Sequence, residues 1–261
     1  MAISEALKIT IITVCKNSEC FLTETIESVI NQTYQNIQYI VIDGNSTDGT
    51  IDIIKEYSSG IDIWFSETDG GMYYAINKGL QLATGDYILI LNSDDVLATS
   101  DTIKNVVDLI GIEKLDYYHG NMIKSREGKY KKVKLFSVTF KKLLLSTHST
   151  FAPHPCFFIS TKHNKALGGY DQQFKYASDY DYILRAFATK GSSGRHLNVY
   201  ISKFRIHDNS ISASGKIDSE RKKILEQHGY YQQPYLIRLF FYYKLWIYYK
   251  IINLGQSYKA G

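Results

Sequence analysis

From Lys8 onward, short β-branched runs alternate with segments whose apolar residues recur at helical spacing. The runs Ile9 to Val14, Ile37 to Ile42, Ile61 to Phe65 and Tyr87 to Leu91 are bounded by Gly, Asn and Asp and predict strands. Between them, Phe21 to Asn31, Gly49 to Tyr57 and Tyr73 to Ala83 predict helices, with Ile26, Val29 and Ile30 showing the 3.6-residue rhythm. Such alternation predicts an α/β fold with a doubly wound, mainly parallel sheet. After Ala98 the rhythm loosens. A helix is expected near Thr102 to Ile110, a strand near Tyr117 to Ile123, then a basic stretch, a strand over Cys156 to Ile159, and a helix over Tyr180 to Thr189. Pro153 and Pro155 flank His154 and predict a rigid loop.

With 261 residues and 44% hydrophobic content, the chain is long enough for one large domain, or a domain with an appendage, around a real core. Lys and Arg outnumber Asp and Glu, 30 to 26. The surplus is concentrated in Gly128 to Lys142 and after Lys216, which suggests an anionic surface partner; ordinary solvated lysine faces are the other reading of the first cluster. Cys15, Cys20 and Cys156 show no Cys-x-x-Cys spacing, which argues against a disulfide framework or a structural zinc and for a reducing cytosol. Met1 to Lys8 has no basic region followed by an apolar stretch, so neither a signal peptide nor an N-terminal span is expected. The basic residues are dispersed, and nothing points to nucleic acid.

Charge matters most at the strand ends. Asp94 and Asp95 close the run Tyr87 to Leu91, at the edge where open α/β sheets bind ligands. Adjacent carboxylates there suit Mg²⁺ or Mn²⁺, which take one or two acids and complete their shells with water and phosphate oxygens. Turn formation or helix capping explains an isolated acid pair equally well. The second strand, however, ends in Asp43 to Thr50, where Asp43 can accept hydrogen bonds from a base or ribose, and the third is followed by the acidic loop Glu67 to Gly71. Three acidic strand ends on one sheet edge point to a single cleft for a metal and a nucleotide.

Thr13-Val14, Ile42 to Thr50, Asp69 to Tyr73 with Asn77-Lys78-Gly79, and Leu91 to Asp95 together resemble glycosyltransferase family 2. The resemblance extends to His154 to Phe158, Gly168 to Asp171, Ser178 to Asp181 with Arg185, and Arg205 to Ser212. It implies a GT-A fold over 1–215, with a nucleotide-binding half of about 1–98 and an acceptor half of about 99–215, followed by a C-terminal helical segment over 216–261. It further implies inverting transfer of a hexosyl or N-acetylhexosaminyl group from a nucleotide-sugar, usually a UDP-sugar.

Carried over residue by residue, the resemblance assigns Thr13, Val14, Asp43, Ser46, Asp69, Gly70, Asn92 and Ser93 to nucleotide binding. The family's DxD motif falls on Asn92-Ser93-Asp94, making Asp94 the ligand of Mn²⁺ or Mg²⁺. Asn92 departs from it: an uncharged amide hydrogen-bonds but is a poor ligand for a hard cation. Asp95 is assigned either to the donor sugar or to the metal's surroundings. Asp179 matches the position of the general base, with Asp181 its nearest rival, although Ser178 replaces the acid often found before it. His207 would complete the metal's coordination or bond a phosphate. Arg205 offers a phosphate fork, and His154 lies among the donor and acceptor contacts.

Pro234 to Leu254 is long enough to cross a bilayer, but Arg238, Lys244 and Lys250 argue against it. Its Tyr, Trp and Lys content favours a helix lying in the interface of the cytoplasmic leaflet; packing on the catalytic domain or forming a homodimer is the alternative. The expected protein is an inverting, metal-dependent glycosyltransferase, peripheral at the inner membrane face, that extends a lipid-linked glycan in bacterial surface polysaccharide assembly. A nucleotidyltransferase and a non-catalytic nucleotide or sugar binding module are the competing classes.

Overall fold

Residues 6–146, 152–207 and 217–260 are described by the computed structural model. Asp208 to Ser212, part of the last motif above, lie outside them. The parallel half of the sheet is built from β1 (Ile9–Cys15), β2 (Ile37–Asp43), β3 (Ile63–Ser66) and β4 (Tyr87–Ile90), lying side by side in the order β3-β2-β1-β4. Its crossovers are α1 (Leu22–Ile30), α2 (Thr50–Glu56) and α3 (Met72–Leu82).

Residues alternate across each strand, and both sides are apolar. Ile12, Val14, Ile40 and Ile42 face one core with α3, whereas Ile9, Ile11, Tyr39 and Val41 face another with α1. Each fully buried Ile or Leu contributes about 1.5–3 kcal/mol of transfer free energy, so this two-sided burial fixes the register. Gly79 lets α3 lie close on the sheet: a Cβ there would stand 2.6 Å from Ile12 Cγ2. Parallel register brings Cys15, Asp43 and Ser66 together at the C-terminal edge.

The second half is mostly antiparallel. The short β5 (Val96–Leu97) and α4 (Thr102–Ile110) lead into β6 (Tyr117–Arg126), which turns through Glu127 (φ 50°) and Gly128 (φ 72°) into β7 (Lys129–Val133). The basic stretch therefore begins as one arm of a hairpin, with Lys129, Lys131 and Lys132 on β7. After α5 (Phe140–Ser146), β8 (Phe157–Ser160) runs antiparallel between β4 and β6. There follow α6 (Thr161–Leu167), α7 (Ser178–Ala188) and the long β9 (Gly194–Arg205), which pairs with β6 and β5.

The C-terminal segment packs on this body. α8 (Ile217–Gln227) buries Ile224 and Leu225, and α9 (Tyr235–Ile252) buries Leu245, in the core shared with α3 and α7. Asn253 bonds both ways to the Lys134 backbone, and β10 (Lys259–Ala260) pairs with β7.

Candidate active site

A cleft of ≈ 1360 Å³ opens along the C-terminal edge of the parallel strands. Val14, Asp69, Gly70, Asn92, Ser93, Asp94, His154, Asp179 and His207 line it, so these predicted site residues share one space.

One pole of the cleft is the turn after β4. Asp94 Oδ2 and His207 Nε2 lie 2.9 Å apart, each side chain a little over a quarter exposed. Phe21 lies against the imidazole with ring centroids 5.2 Å apart. Ser93 Oγ meets Ser18 Oγ at 2.9 Å, which ties the β4 turn to the loop after β1. Across the cleft floor, Asp69 Oδ1 accepts the Gly71 N–H at 2.8 Å. Gly71 has φ 124°, a conformation that favours glycine, and the chain turns there into α3.

The other pole is the first turn of α7. Asp179 Oδ1 accepts the Tyr73 hydroxyl at 3.2 Å. Burial raises the Asp179 pKa above the ordinary carboxylate value, against lowering by the Tyr180 backbone, Tyr73 and Arg221. Tyr73 stacks on Tyr170, which stacks on Tyr182, so three rings support the hydrogen bond. Tyr170 also meets His154 Nε2 through its hydroxyl at 3.1 Å, and burial pushes that imidazole down to about 4. His154 is therefore a neutral wall residue. Tyr180 is buried and lines the cleft, and its hydroxyl has no hydrogen-bond partner among the described residues.

Several predicted residues lie behind the cleft lining. Thr13 points to the opposite sheet face from Val14 and accepts the Tyr39 hydroxyl at 3.2 Å. Asp43 is fully buried: Ser46 donates to it through both backbone N–H and hydroxyl, and Ser66 through its hydroxyl at 2.6 Å. Rather than the expected open acceptor for a base, Asp43 with Ser46 is a knot joining β2, β3 and the following loop. Asp95 is also fully buried, accepting the Arg205 N–H and the Asn92 amide, each at 2.9 Å. Burial and the neighbouring Asp94 hold its carboxyl well above the usual range. Arg205 does not reach the cleft: its guanidinium lies 4.4 Å over Phe21 and pairs with Glu24 at 2.7 Å. Asp181 is on the far side of α7 from Asp179, held by Arg185 at 2.6 Å and His228 at 2.9 Å. Burial opposes its charge, but hydrogen bonds from His228 and attraction to Arg185 prevail and lower its pKa. Arg185 in turn donates to the carbonyls of Leu167 and Gly169, so this group fixes α7 against the turn before Tyr170.

Sequence reasoning missed Tyr73, Tyr180 and Glu220. Glu220, on α8, accepts the backbone N–H groups of Lys175, Tyr176 and Ala177 at 2.8, 2.7 and 2.9 Å, capping the chain as it enters α7. Ile217, Asp218 and Arg221 of the same helix line the cleft. A glutamate more than forty residues from its partners leaves no local pattern to read. Tyr73 had a weak signal, following the Gly-Gly turn at the start of α3.

The donor set suits a divalent cation that is only partly enclosed by protein. One carboxylate and one imidazole adjoin in the open cleft, and no group of three His, Cys, Asp or Glu ready to hold an ion occurs among the described residues. This fits an ion that completes its shell with water and phosphate oxygens, not a closed structural site.

Glycosyl transferase family 2 matches residues 10–168. The chain is 28% identical over 192 residues to a PGL/p-HBAD biosynthesis glycosyltransferase of Mycobacterium bovis, covering 72% of this chain and 73% of that one. S. aureus TarS 1-349 in complex with UDP superposes with a TM-score of 0.68 at 21% identity, over 85% of this chain and 65% of that one; the complex with UDP-GlcNAc gives 0.71. A mannosyltransferase from Pyrobaculum calidifontis, in complex with GDP-Man and Mn²⁺, gives 0.58 at 17% identity over 76% of this chain and 57% of that one. The chain thus spans about two thirds of the TarS chain it matches. Its α/β body with a mostly parallel sheet has the GT-A fold of these neighbours. The chain belongs to glycosyl transferase family 2 and is a glycosyltransferase.

Proposed function

We propose that the protein transfers a sugar with inversion from a UDP-sugar to a hydroxyl of a lipid-linked glycan at the inner membrane surface. The carrying observation is that Asp94 with His207, and Asp179 with Tyr73, line one cleft from different elements. Val14, Asp69, Gly70, Asn92 and Ser93 line the nucleotide side, with Thr13, Asp43 and Ser46 holding that edge from behind. The UDP and UDP-GlcNAc complexes of TarS support a uridine nucleotide.

Asp94 and His207 would hold Mn²⁺ or Mg²⁺; the Mn²⁺ in the Pyrobaculum mannosyltransferase complex supports that reading. When bound, the ion supplies positive charge against the departing diphosphate. Asp95 and Arg205 act from behind, anchoring the β4 turn to the end of β9. Asp179 takes the proton of the acceptor hydroxyl as that oxygen bonds to the anomeric carbon and the bond from that carbon to the diphosphate breaks. A carboxylate whose pKa is raised by burial is a stronger base than an exposed one.

Calorimetric titration of UDP, GDP, dTDP and CMP, with and without Mn²⁺, tests the donor half. Metal-dependent UDP binding that is lost in Asp94→Ala and weakened in His207→Ala is expected; unchanged affinity would remove these residues from the site. For the acceptor half, Asp179→Asn should retain nucleotide binding while transfer falls by about 10²–10⁴-fold. Normal transfer by that variant would eliminate Asp179 as the base.

A further inference from the structure

α9 is apolar on two sides, and the body of the protein covers only one. Phe241 and Leu245 face inward toward the core, whereas Leu236, Phe240, Tyr243, Trp246, Ile247 and Ile251 are between 48% and 75% exposed. Most of the outer set follow one another at three- and four-residue intervals, so they form one continuous stripe along the helix. A contiguous stripe of large apolar side chains in water marks an interaction surface.

Charge identifies what covers it. No Asp or Glu follows Glu226 in the chain. Helical spacing puts Lys244 at one edge of the stripe and Lys250 within it, between Tyr243 and Trp246, whereas Arg238 turns inward, its guanidinium 5.0 and 5.5 Å over the rings of Tyr230 and Tyr231. The stretch against which α9 and Asn253 pack is also free of acid: Gly128 to Ser146 holds Lys129, Lys131, Lys132, Lys134, Lys141 and Lys142 and neither Asp nor Glu. In a two-fold dimer the stripe of one copy would meet the stripe of the other, bringing these cations together without compensation. An anionic lipid surface meets both properties at once. Tyr and Trp settle at the headgroup level, the apolar atoms enter the acyl boundary, and lysine heads reach lipid phosphates. No helix among the described residues is long and apolar enough to cross a membrane.

We propose that the outer stripe of α9, with Lys244 and Lys250 on it, docks the protein in the plane of an anionic bilayer surface. This deepens the reading of a lipid-linked acceptor and rests on that reading for its purpose, but its test requires no sugar transfer.

The test is co-sedimentation of the full chain with phosphatidylcholine vesicles, with and without phosphatidylglycerol. In a Trp64→Phe chain, Trp246 is the sole tryptophan and reports burial of the stripe through a blue shift of its emission. Binding to the phosphatidylglycerol vesicles, the blue shift, and weakening by added salt are expected. Lys244→Gln with Lys250→Gln should weaken binding roughly 25-fold, at about fivefold per cation, while thermal unfolding stays unchanged. Three results would overturn the proposal: no partition into either vesicle, equal binding by the double variant, or a dimer in solution that Trp246→Ser dissociates. Vesicle binding by a protein that transfers sugar only to a water-soluble glycan would leave the docking surface standing and reject the lipid-linked acceptor.

Discussion

The Tyr73 hydroxyl donates to Asp179 Oδ1 across 3.2 Å, joining the first turn of α3 to the first turn of α7. Burial raises the Asp179 pKa and the Tyr73 hydrogen bond lowers it, so removing the hydroxyl should raise it further. Tyr73→Phe keeps the ring stacked on Tyr170 and the fold intact. If Asp179 is the base, the acidic limb of the transfer rate should move to higher pH, by up to about one unit for a bond worth about 1.4 kcal/mol. Nucleotide affinity should not change. A pH–rate profile that superposes on the parent's would show that Tyr73 does not tune the base.

Tyr180, one residue on, invites the opposite experiment. The residue lines the cleft, but its hydroxyl is buried with no partner among the described residues, so folding gains nothing from it. Tyr180→Phe should leave thermal stability equal or slightly higher. Acceptor KM and UDP affinity should stay unchanged, because the enclosed hydroxyl is out of a substrate's reach. Thermal unfolding together with steady-state kinetics at varied acceptor checks this; a loss of stability would show that the hydroxyl is hydrogen-bonded in the folded protein.

The parallel half of the fold was legible because its strands are short, β-branched and separated by amphipathic helices. Predicted and observed elements there differ by one or two residues, as for Ile9 to Val14 against Ile9–Cys15. The second half was harder to read. β7 is a lysine-rich strand whose apolar alternation is weak, and β9 pairs in parallel with a strand nearly eighty residues earlier. Asp94, His207, Asp69 and Asp179 could be brought together because they occupy motifs at strand and helix ends. The burial of Asp43, Asp95 and Asp181 could not be foreseen. An acid at a strand end looks the same in sequence whether it faces solvent or accepts donors from Ser46, Ser66, Arg205 or His228.

Glu220 shows how far the site depends on the C-terminal helices. Its carboxylate accepts three consecutive N–H groups just before α7, where negative charge also favours the helix dipole. Glu220→Ala should destabilise the protein by about 1–2 kcal/mol, a typical capping loss. It should also lower kcat more than nucleotide affinity, because the α7 entry that carries Asp179 loses its anchor. Glu220→Gln retains one acceptor oxygen and should recover part of both. Parallel measurement of Tm, UDP affinity and kcat checks the split; a Tm loss with unchanged kcat would make Glu220 structural only.

His119 provides a pH test of the core. It is 1% exposed, its Nδ1 meets no partner among the described residues, and burial, with a smaller part from His196, pushes its pKa down to about 3. The unfolded chain binds this proton near the ordinary histidine value of about 6.5. Between those values the unfolded state holds more protons, so the histidine's contribution falls as pH is lowered through that window. At pH 5 the penalty relative to pH 7 is about 2 kcal/mol. Asp95 and Asp179, raised by burial, act in the opposite sense from the ordinary carboxylate value upward, so the histidine effect must be read as a difference between chains. His119→Phe removes both the titrating group and the unpaired nitrogen. Urea unfolding at pH 7 and pH 5 should show the variant losing about 2 kcal/mol less than the parent on acidification; equal losses would mean that His119 is not held neutral in the native protein.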